Sequence, residues 1–208
     1  MRFFGDATRR NIAEACAAFA RLHDAAEAST LKRAAVVVAL TESDDGDDTA
    51  FLLTRRASSL RSHRGQWALP GGRCDAGETP VEAALRELDE ELALKLPPDA
   101  VLGLLDDYPT RSGYLITPVV VWAADSVAIK PNPDEVASVH RIALDTIERD
   151  DAFDFTAIPE SSRRVIRFHH RMSLIHAPTA ALIYQFREVL AGRQTRVTDL
   201  EQPVFAWT

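Results

Sequence analysis

The segment GRCDAGETPVEAALRELDEELAL, residues 72–94, decides how the rest of the chain is read. It turns helical at Thr79-Pro80-Val81-Glu82. The Thr79 hydroxyl can cap free N–H groups, Pro80 lacks an N–H that the first turn would leave unused, and Glu82 is placed to return the cap. The spacing predicts a helix from Pro80, stopped by Pro97 and Pro98. At about 100° per residue, Val81, Leu85, Leu88 and Leu92 share a face expected to pack on a sheet, and Glu87, Glu90 and Glu91 fall within an arc of about 100° elsewhere. Like charges at i, i+3 and i+4 repel. They form either a solvated face in which Arg86 relieves Glu90 one turn on, or a set of hard oxygen ligands suited to Mg²⁺ or Mn²⁺, ions that neutralise phosphate charge during attack on phosphorus. Immediately upstream, Leu69-Pro70-Gly71-Gly72-Arg73 puts two glycines where a Cβ would obstruct a tight turn. The acidic face therefore follows a compact loop.

Around this segment the chain reads as strands with segregated helices. The run Ala34 to Thr41 and the run Ala50 to Arg55, divided by Ser43-Asp44-Asp45-Gly46-Asp47-Asp48, predict a hairpin. A short strand is expected near Trp67, then others at Val101 to Leu105, Leu115 to Ala123 and Val136 to Ile142. A short helix follows over Asp145 to Arg149, then a strand pair within Arg164 to His176 and a helix from Pro178 to Leu190. Ahead of all this, Ile12, Cys16, Phe19 and Leu22 recur at helical spacing and predict an amphipathic helix over 7–28. The pattern indicates α+β, a sheet between helices. At 208 residues the expectation is one domain with additions: a core at about 34–144, the N-terminal helix and a C-terminal extension over 145–208.

With 46% hydrophobic and 26% charged residues, the chain is not of a disordered or disulfide-scaffold class. Its net charge of −7 argues against a general binder of nucleic acid or membrane surfaces. Two cysteines, Cys16 and Cys74, without metal-finger spacing suggest free thiols, and no secretory or membrane-spanning segment is read, so a cytoplasmic location is expected.

Against that negative balance, Arg55, Arg56, Arg61, Arg64 and Arg73, with His63, crowd into 19 residues, where the chain average of 24 Lys and Arg in 208 places about two. One reading is solubility and pairing with Asp75 and Glu78; the other is an anion clamp, because guanidinium forks suit phosphate. Glu135, after the Pro131-Asn132-Pro133 turn, is either solvated strand-entry charge or an acid contributed from outside the helix, as an extra metal ligand or as the general base. His169, His170 and His176 form no evident metal triad and read as ordinary histidines.

The residues now carry a resemblance. Gly72, Glu78 and Arg86-Glu87-Leu88-Asp89-Glu90-Glu91-Leu92-Ala93-Leu94 resemble the Nudix box, G-x5-E-x7-R-E-U-x-E-E-x-G-U, with Ala93 where glycine is usual. The resemblance implies an α-β-α sandwich with a mixed sheet and hydrolysis of a nucleoside diphosphate linked to another group. It also implies that Glu87, Glu90 and Glu91 face the metals, Mg²⁺ or Mn²⁺, while Glu78 and Arg86 brace loop and helix. Upstream, Leu52-Leu53-Thr54-Arg55-Arg56-Ala57, Arg61, Gly65 and Leu69-Pro70-Gly71-Gly72 are similar to the signature of the coenzyme A pyrophosphatase branch, with Leu69 in place of Phe. Pro159-Glu160-Ser161 and Pro178-Thr179-Ala180 look like that branch too. This second resemblance implies cleavage of coenzyme A or its thioesters to 3′,5′-ADP and a 4′-phosphopantetheine fragment. The residues expected against the substrate are Arg55, Arg56, Arg61, Arg64, Gly71 and Gly72, and Arg61, the signature arginine inside the loop, is expected to read the 3′-phosphate, since a net-negative chain needs local cations to hold it. ADP-ribose, a dinucleotide, or a module that binds without catalysis are the alternatives. The N-terminal helix and the tail residues Phe205 and Trp207 are candidates for a homodimer contact.

Overall fold

An apolar run buried on both sides forms the middle of the sheet. The computed structural model describes residues 2–22, 30–44, 46–58, 65–124 and 129–204. In it β1 (Lys32–Ser43) and β2 (Gly46–Arg56) form the hairpin, with Leu40 opposite Phe51. β1 also pairs in parallel with β7 (Tyr114–Trp122), from Lys32 beside Tyr114 to Leu40 beside Trp122. The sheet is therefore mixed, and its central order is β3 (Trp67–Ala68), β2, β1, β7, β5 (Val101–Leu104). β4 (Gly71–Arg73) adds to β1, β6 (Tyr108–Pro109) to β7, and β8 (Val136–Ala143) to β2.

Strand alternation sorts the run between two cores. Ala35, Val37 and Ala39 pack with Leu88 and Leu92 of α2 (Pro80–Leu92). Val38 and Leu40 pack on the other side, with Ile12 and Cys16 of α1 (Asp6–Ala18), Ile147 of α3 (Leu144–Glu148) and Phe186 of α4 (Thr179–Leu190). Covered on both faces, the strand has no need of polar residues at alternate positions. The architecture is α+β, a mixed sheet between helices. Among the described residues no helix is long and apolar enough to cross a membrane.

Three expectations are corrected. The helix expected over 7–28 ends at Ala18, and Phe19 is already extended. Tertiary bonds replace the helical ones there: Arg21 donates to Leu105 O and Asp107 at 2.7 Å each, and the Leu22 N–H donates to Asp106 at 2.7 Å. Leu22, expected on the apolar face, is exposed. In the C-terminal region the strand pair is a three-stranded antiparallel sheet, because β9 (Phe153–Ile158) joins β10 (Ser161–His170) and β11 (Ser173–His176). On α2, Val81 and Leu85 are only partly buried; Ala83 and Ala84 let the helix approach the sheet closely, and the buried stripe takes in Glu91. Phe205 and Trp207 lie outside the described residues.

Candidate active site

The loop and helix of residues 71–93 are built from short-range contacts. The Glu82 N–H donates to the Thr79 hydroxyl at 3.3 Å, and the Thr79 N–H donates to the Glu82 carboxylate at 2.8 Å, so two free helix-end donors are satisfied reciprocally. Gly71 holds φ 146°, and a Cβ there would enter Ala35 O and the Val36 backbone. At Gly72 a Cβ would enter the Glu87 carboxylate. These two positions exclude side chains because β1 lies on one side of the loop and an acid on the other.

Arg86 is the hub of the charged face. It donates to both oxygens of Glu78 at 2.9 and 3.0 Å, to Glu87 at 2.9 Å, to Glu90 at 3.0 Å and to the Arg73 carbonyl at 2.9 Å. One guanidinium thus ties helix to loop, and its bond to Glu78 holds that carboxyl below the usual range. Glu90 is exposed and Glu87 half-buried, with burial raising the Glu87 carboxyl against the pull of Arg86.

Glu91 is different: it is 3% exposed and accepts the Gly71 N–H at 3.2 Å. Burial pushes its carboxyl up to about 7; the Gly71 N–H and Arg56 oppose the shift, and the charges of Glu87 and Glu135 add to it. Glu135 is delivered by a pinned loop. The Lys130 N–H donates to Leu92 O at 2.9 Å, Asn132 N–H to Glu91 O at 2.8 Å, and Ala57 N–H to Glu135 O at 2.8 Å. The end of α2, the loop before β8 and the end of β2 meet at that point. Arg56, on β2, keeps a buried Nε with no hydrogen-bond partner.

The structure thus brings Glu87, Glu91, Glu135 and Arg56 into one electrostatic neighbourhood and ties Glu78, Glu87 and Glu90 to Arg86. Among the described residues no three His, Cys, Asp or Glu side chains already converge as a metal cage. Among the described residues, Arg55, Arg56 and Arg73 of the basic cluster go to different partners. The Arg55 guanidinium lies 5.6 Å over the Trp67 ring and that of Arg73 5.3 Å over the Tyr114 ring, whereas Arg56 acts on Glu91. Successive strand residues face opposite ways, which separates Arg55 from Arg56. Arg61, His63 and Arg64 lie outside the described residues. Sequence reasoning missed the Gly71 N–H as a donor to Glu91, and Trp67, which sits in a spacer position of the upstream signature.

A compact glycine loop on an acidic helix, with Arg86 bonded across both, is the local arrangement of the Nudix box. The model of the NUDIX domain matches residues 30–161. The chain belongs to the Nudix domain family. A relative from Pectobacterium atrosepticum described as "Uncharacterized Nudix hydrolase NudL" is 36% identical over 153 residues, 69% of this chain and 76% of its own length. A namesake from Yersinia enterocolitica is 40% identical over 98 residues, 47% of this chain and 50% of its own. Among solved structures, a MutT/nudix family protein from Enterococcus faecalis superposes with a TM-score of 0.56 at 17% identity, covering 96% of this chain and 79% of that one. That last likeness supports the fold. As a Nudix hydrolase, the chain acts on a nucleoside diphosphate derivative, and its carboxylates supply the hard oxygens a divalent cation prefers.

Proposed function

We propose that this Nudix hydrolase cleaves the diphosphate of coenzyme A or its thioesters, giving 3′,5′-ADP and 4′-phosphopantetheine or its acyl form. The observation that carries the reading is the signature from Leu52 to Gly72, whose ends lie beside Glu91: Arg56 acts on that carboxylate and the Gly71 N–H donates to it. Glu87, Glu90 and Glu91 would hold Mg²⁺ or Mn²⁺, and the donor set fits, because it is three carboxylates on one helix, of which Glu91 is buried and, among the described residues, in no ion pair. Bound there, the cation supplies neutralisation of charge on the phosphate oxygens.

The rest is work for the chain's own groups. Arg86, with Glu78, keeps loop and helix in register. Gly71 and Gly72, bare of side chains, let the diphosphate approach the backbone. Arg56 offers its unpaired Nε to a phosphate oxygen. Glu135, held by its backbone beside Glu91, accepts the proton of the water that attacks phosphorus. Arg61 and Arg64 belong to the same substrate set by sequence.

The test is a substrate panel of coenzyme A, an acyl-coenzyme A, dephospho-coenzyme A, ADP-ribose and a dinucleoside diphosphate with Mn²⁺, products identified by mass. The expected outcome is 3′,5′-ADP from coenzyme A, with kcat/KM at least about tenfold above that for ADP-ribose. Preference for ADP-ribose would overturn the assignment.

A further inference from the structure

A second group of unsatisfied charges lies on the face of the sheet away from α2. The Arg55 guanidinium sits over the Trp67 ring and spends its Nε on the Gly65 carbonyl at 3.1 Å. The centroid of the Trp67 ring is 4.6 Å from that of His140 and 5.4 Å from that of His170, the latter edge-on. These rings come from β3, β8 and β10. Ser138 Oγ lies 2.8 Å from His140 Nε2. His170 is more than nine-tenths buried, and its Nε2 has no hydrogen-bond partner.

Arg171, at the tip of the β10–β11 hairpin with φ 53°, completes the group. Arg171 follows His170 directly in the chain, and burial, with the charges of Arg171 and Arg55 adding to it, holds the His140 imidazole below its usual range. Among the described residues the carboxylate that acts on His140 is Asp44, and its Oδ1 accepts from Arg141 at 2.7 Å. Among the described residues neither Arg55 nor Arg171 is in an ion pair with a carboxylate. In a chain of net charge −7, a guanidinium and two imidazoles gathered around one indole, with a second guanidinium next in the chain to His170, form an arrangement that suits an anion. Trp67 supplies the platform that fixes Arg55.

We propose that Arg55 and His140 at the Trp67 ring, with Arg171 at the adjoining hairpin tip, bind a phosphate monoester carried by the nucleotide whose diphosphate lies at Glu91. Arg55 and Arg56 are consecutive on β2 and face opposite sides of its end, so one ligand straddling that end meets both. A ribose bearing a 3′-phosphate and a 5′-diphosphate carries its two anions a few bonds apart and matches this division. The inference rests on the coenzyme A reading and assigns the 3′-phosphate to this cluster rather than to Arg61.

Metal-free protein titrated calorimetrically with 3′,5′-ADP and with 5′-AMP isolates the subsite from catalysis. The wild type is expected to prefer 3′,5′-ADP by about tenfold or more, the size of one charge-assisted phosphate contact. Arg171→Ala and Arg55→Ala each reduce that preference to about twofold, and Arg171→Lys retains most of it. Arg171 is exposed at a hairpin tip, so its variants test the charge in a folded protein. Absence of any wild-type preference, or a preference that survives both alanine substitutions, overturns the subsite; so does a preference abolished by Arg61→Ala alone. Hydrolysis is scored separately. A preference that depends on Arg171 in a protein that does not cleave coenzyme A removes the substrate reading and leaves the subsite standing. Cleavage of coenzyme A with no such dependence does the reverse.

Discussion

Glu91 and Glu201 are buried alike, 3% and 2% exposed, yet they occupy opposite electrostatic states. Glu201 accepts from Arg111 at 2.5 and 3.1 Å, from the Ser161 hydroxyl at 2.8 Å and from the Gln202 N–H at 3.0 Å. Those partners, Arg111 foremost, hold its carboxyl down to about 2. Glu91 accepts one N–H and faces Glu87 and Glu135, and its carboxyl rises to about 7. Burial alone would raise both, so the sign is decided by partners. The charge of Glu201 is compensated within the chain and fastens the C-terminal segment to the loop before β7. Among the described residues Glu91 has no such set, only the Gly71 N–H and the charge of Arg56, and a buried acid with so perturbed a carboxyl is a candidate functional group.

The largest test of this contrast is Glu91→Gln. It keeps the shape and removes the charge, and kcat with Mn²⁺ is expected to fall about a thousandfold. Metal-free stability should be unchanged or higher. The carboxyl titrates near 7 folded against the usual 4.5, so in that window the folded protein binds more protons than the unfolded one. The stability associated with protonated Glu91 is therefore complete below 4.5 and is lost as pH rises through 7. Denaturant unfolding from pH 5 to 8 in a chelator should show a downward component in the wild type that the variant lacks. Unchanged turnover, or a large loss of stability, would place Glu91 with Glu201 as a structural acid.

Glu201→Gln should do the opposite. Losing a charged hydrogen-bond set costs about 2 kcal/mol, or a Tm lower by about 4 to 8 °C in a chain of this size, with kcat per folded molecule unchanged. The sign reverses too. The Glu201 contribution is full above 4.5 and disappears as pH falls through about 2, so wild type and variant converge in acid. Thermal melts at pH 7 and pH 3 read the difference; equal gaps at both would sink the compensation argument.

The contrast also separates what was legible in sequence from what was not. Thr79, Pro80 and Glu82 act on groups within one helical turn, so the start of α2 could be read directly, as could its glycine loop and the arc that groups Glu87, Glu90 and Glu91. That Glu91 would be buried and Glu90 exposed depends on Gly71, 20 residues away, and on the loop before β8. Arg111 and Glu201 are 90 residues apart, and no periodicity links them. The helix end at Ala18 is set by Asp106 and Asp107, far downstream. β9 was missed because Phe153–Ile158 alternates only weakly and is recognisable through its partner β10. The Trp67 cluster draws on three distant strands, so its histidines read singly as ordinary ones.

The smallest effect is expected where the acidic helix ends. Ala93 stands where the Nudix box has glycine, and it adopts the conformation glycine would, φ 54° and ψ 32°, with its N–H on Asp89 O at 2.8 Å. A Cβ in the left-handed region costs about 1 to 2 kcal/mol, partly offset because glycine loses more chain entropy on folding. Ala93→Gly should therefore stabilise the protein by about 0.5 to 1 kcal/mol, a Tm gain of about 1 to 4 °C. Leu94, buried just beyond, keeps its place, so kcat should not change. The result bears on the comparison of the two glutamates. A stability gain with unaltered turnover means that the strain at the helix exit is incidental and that the tension in this region resides in the carboxylates. A gain accompanied by slower turnover would mean that the strained exit helps hold Glu90 and Glu91 in place, and the electrostatic account of the site would then need a backbone component.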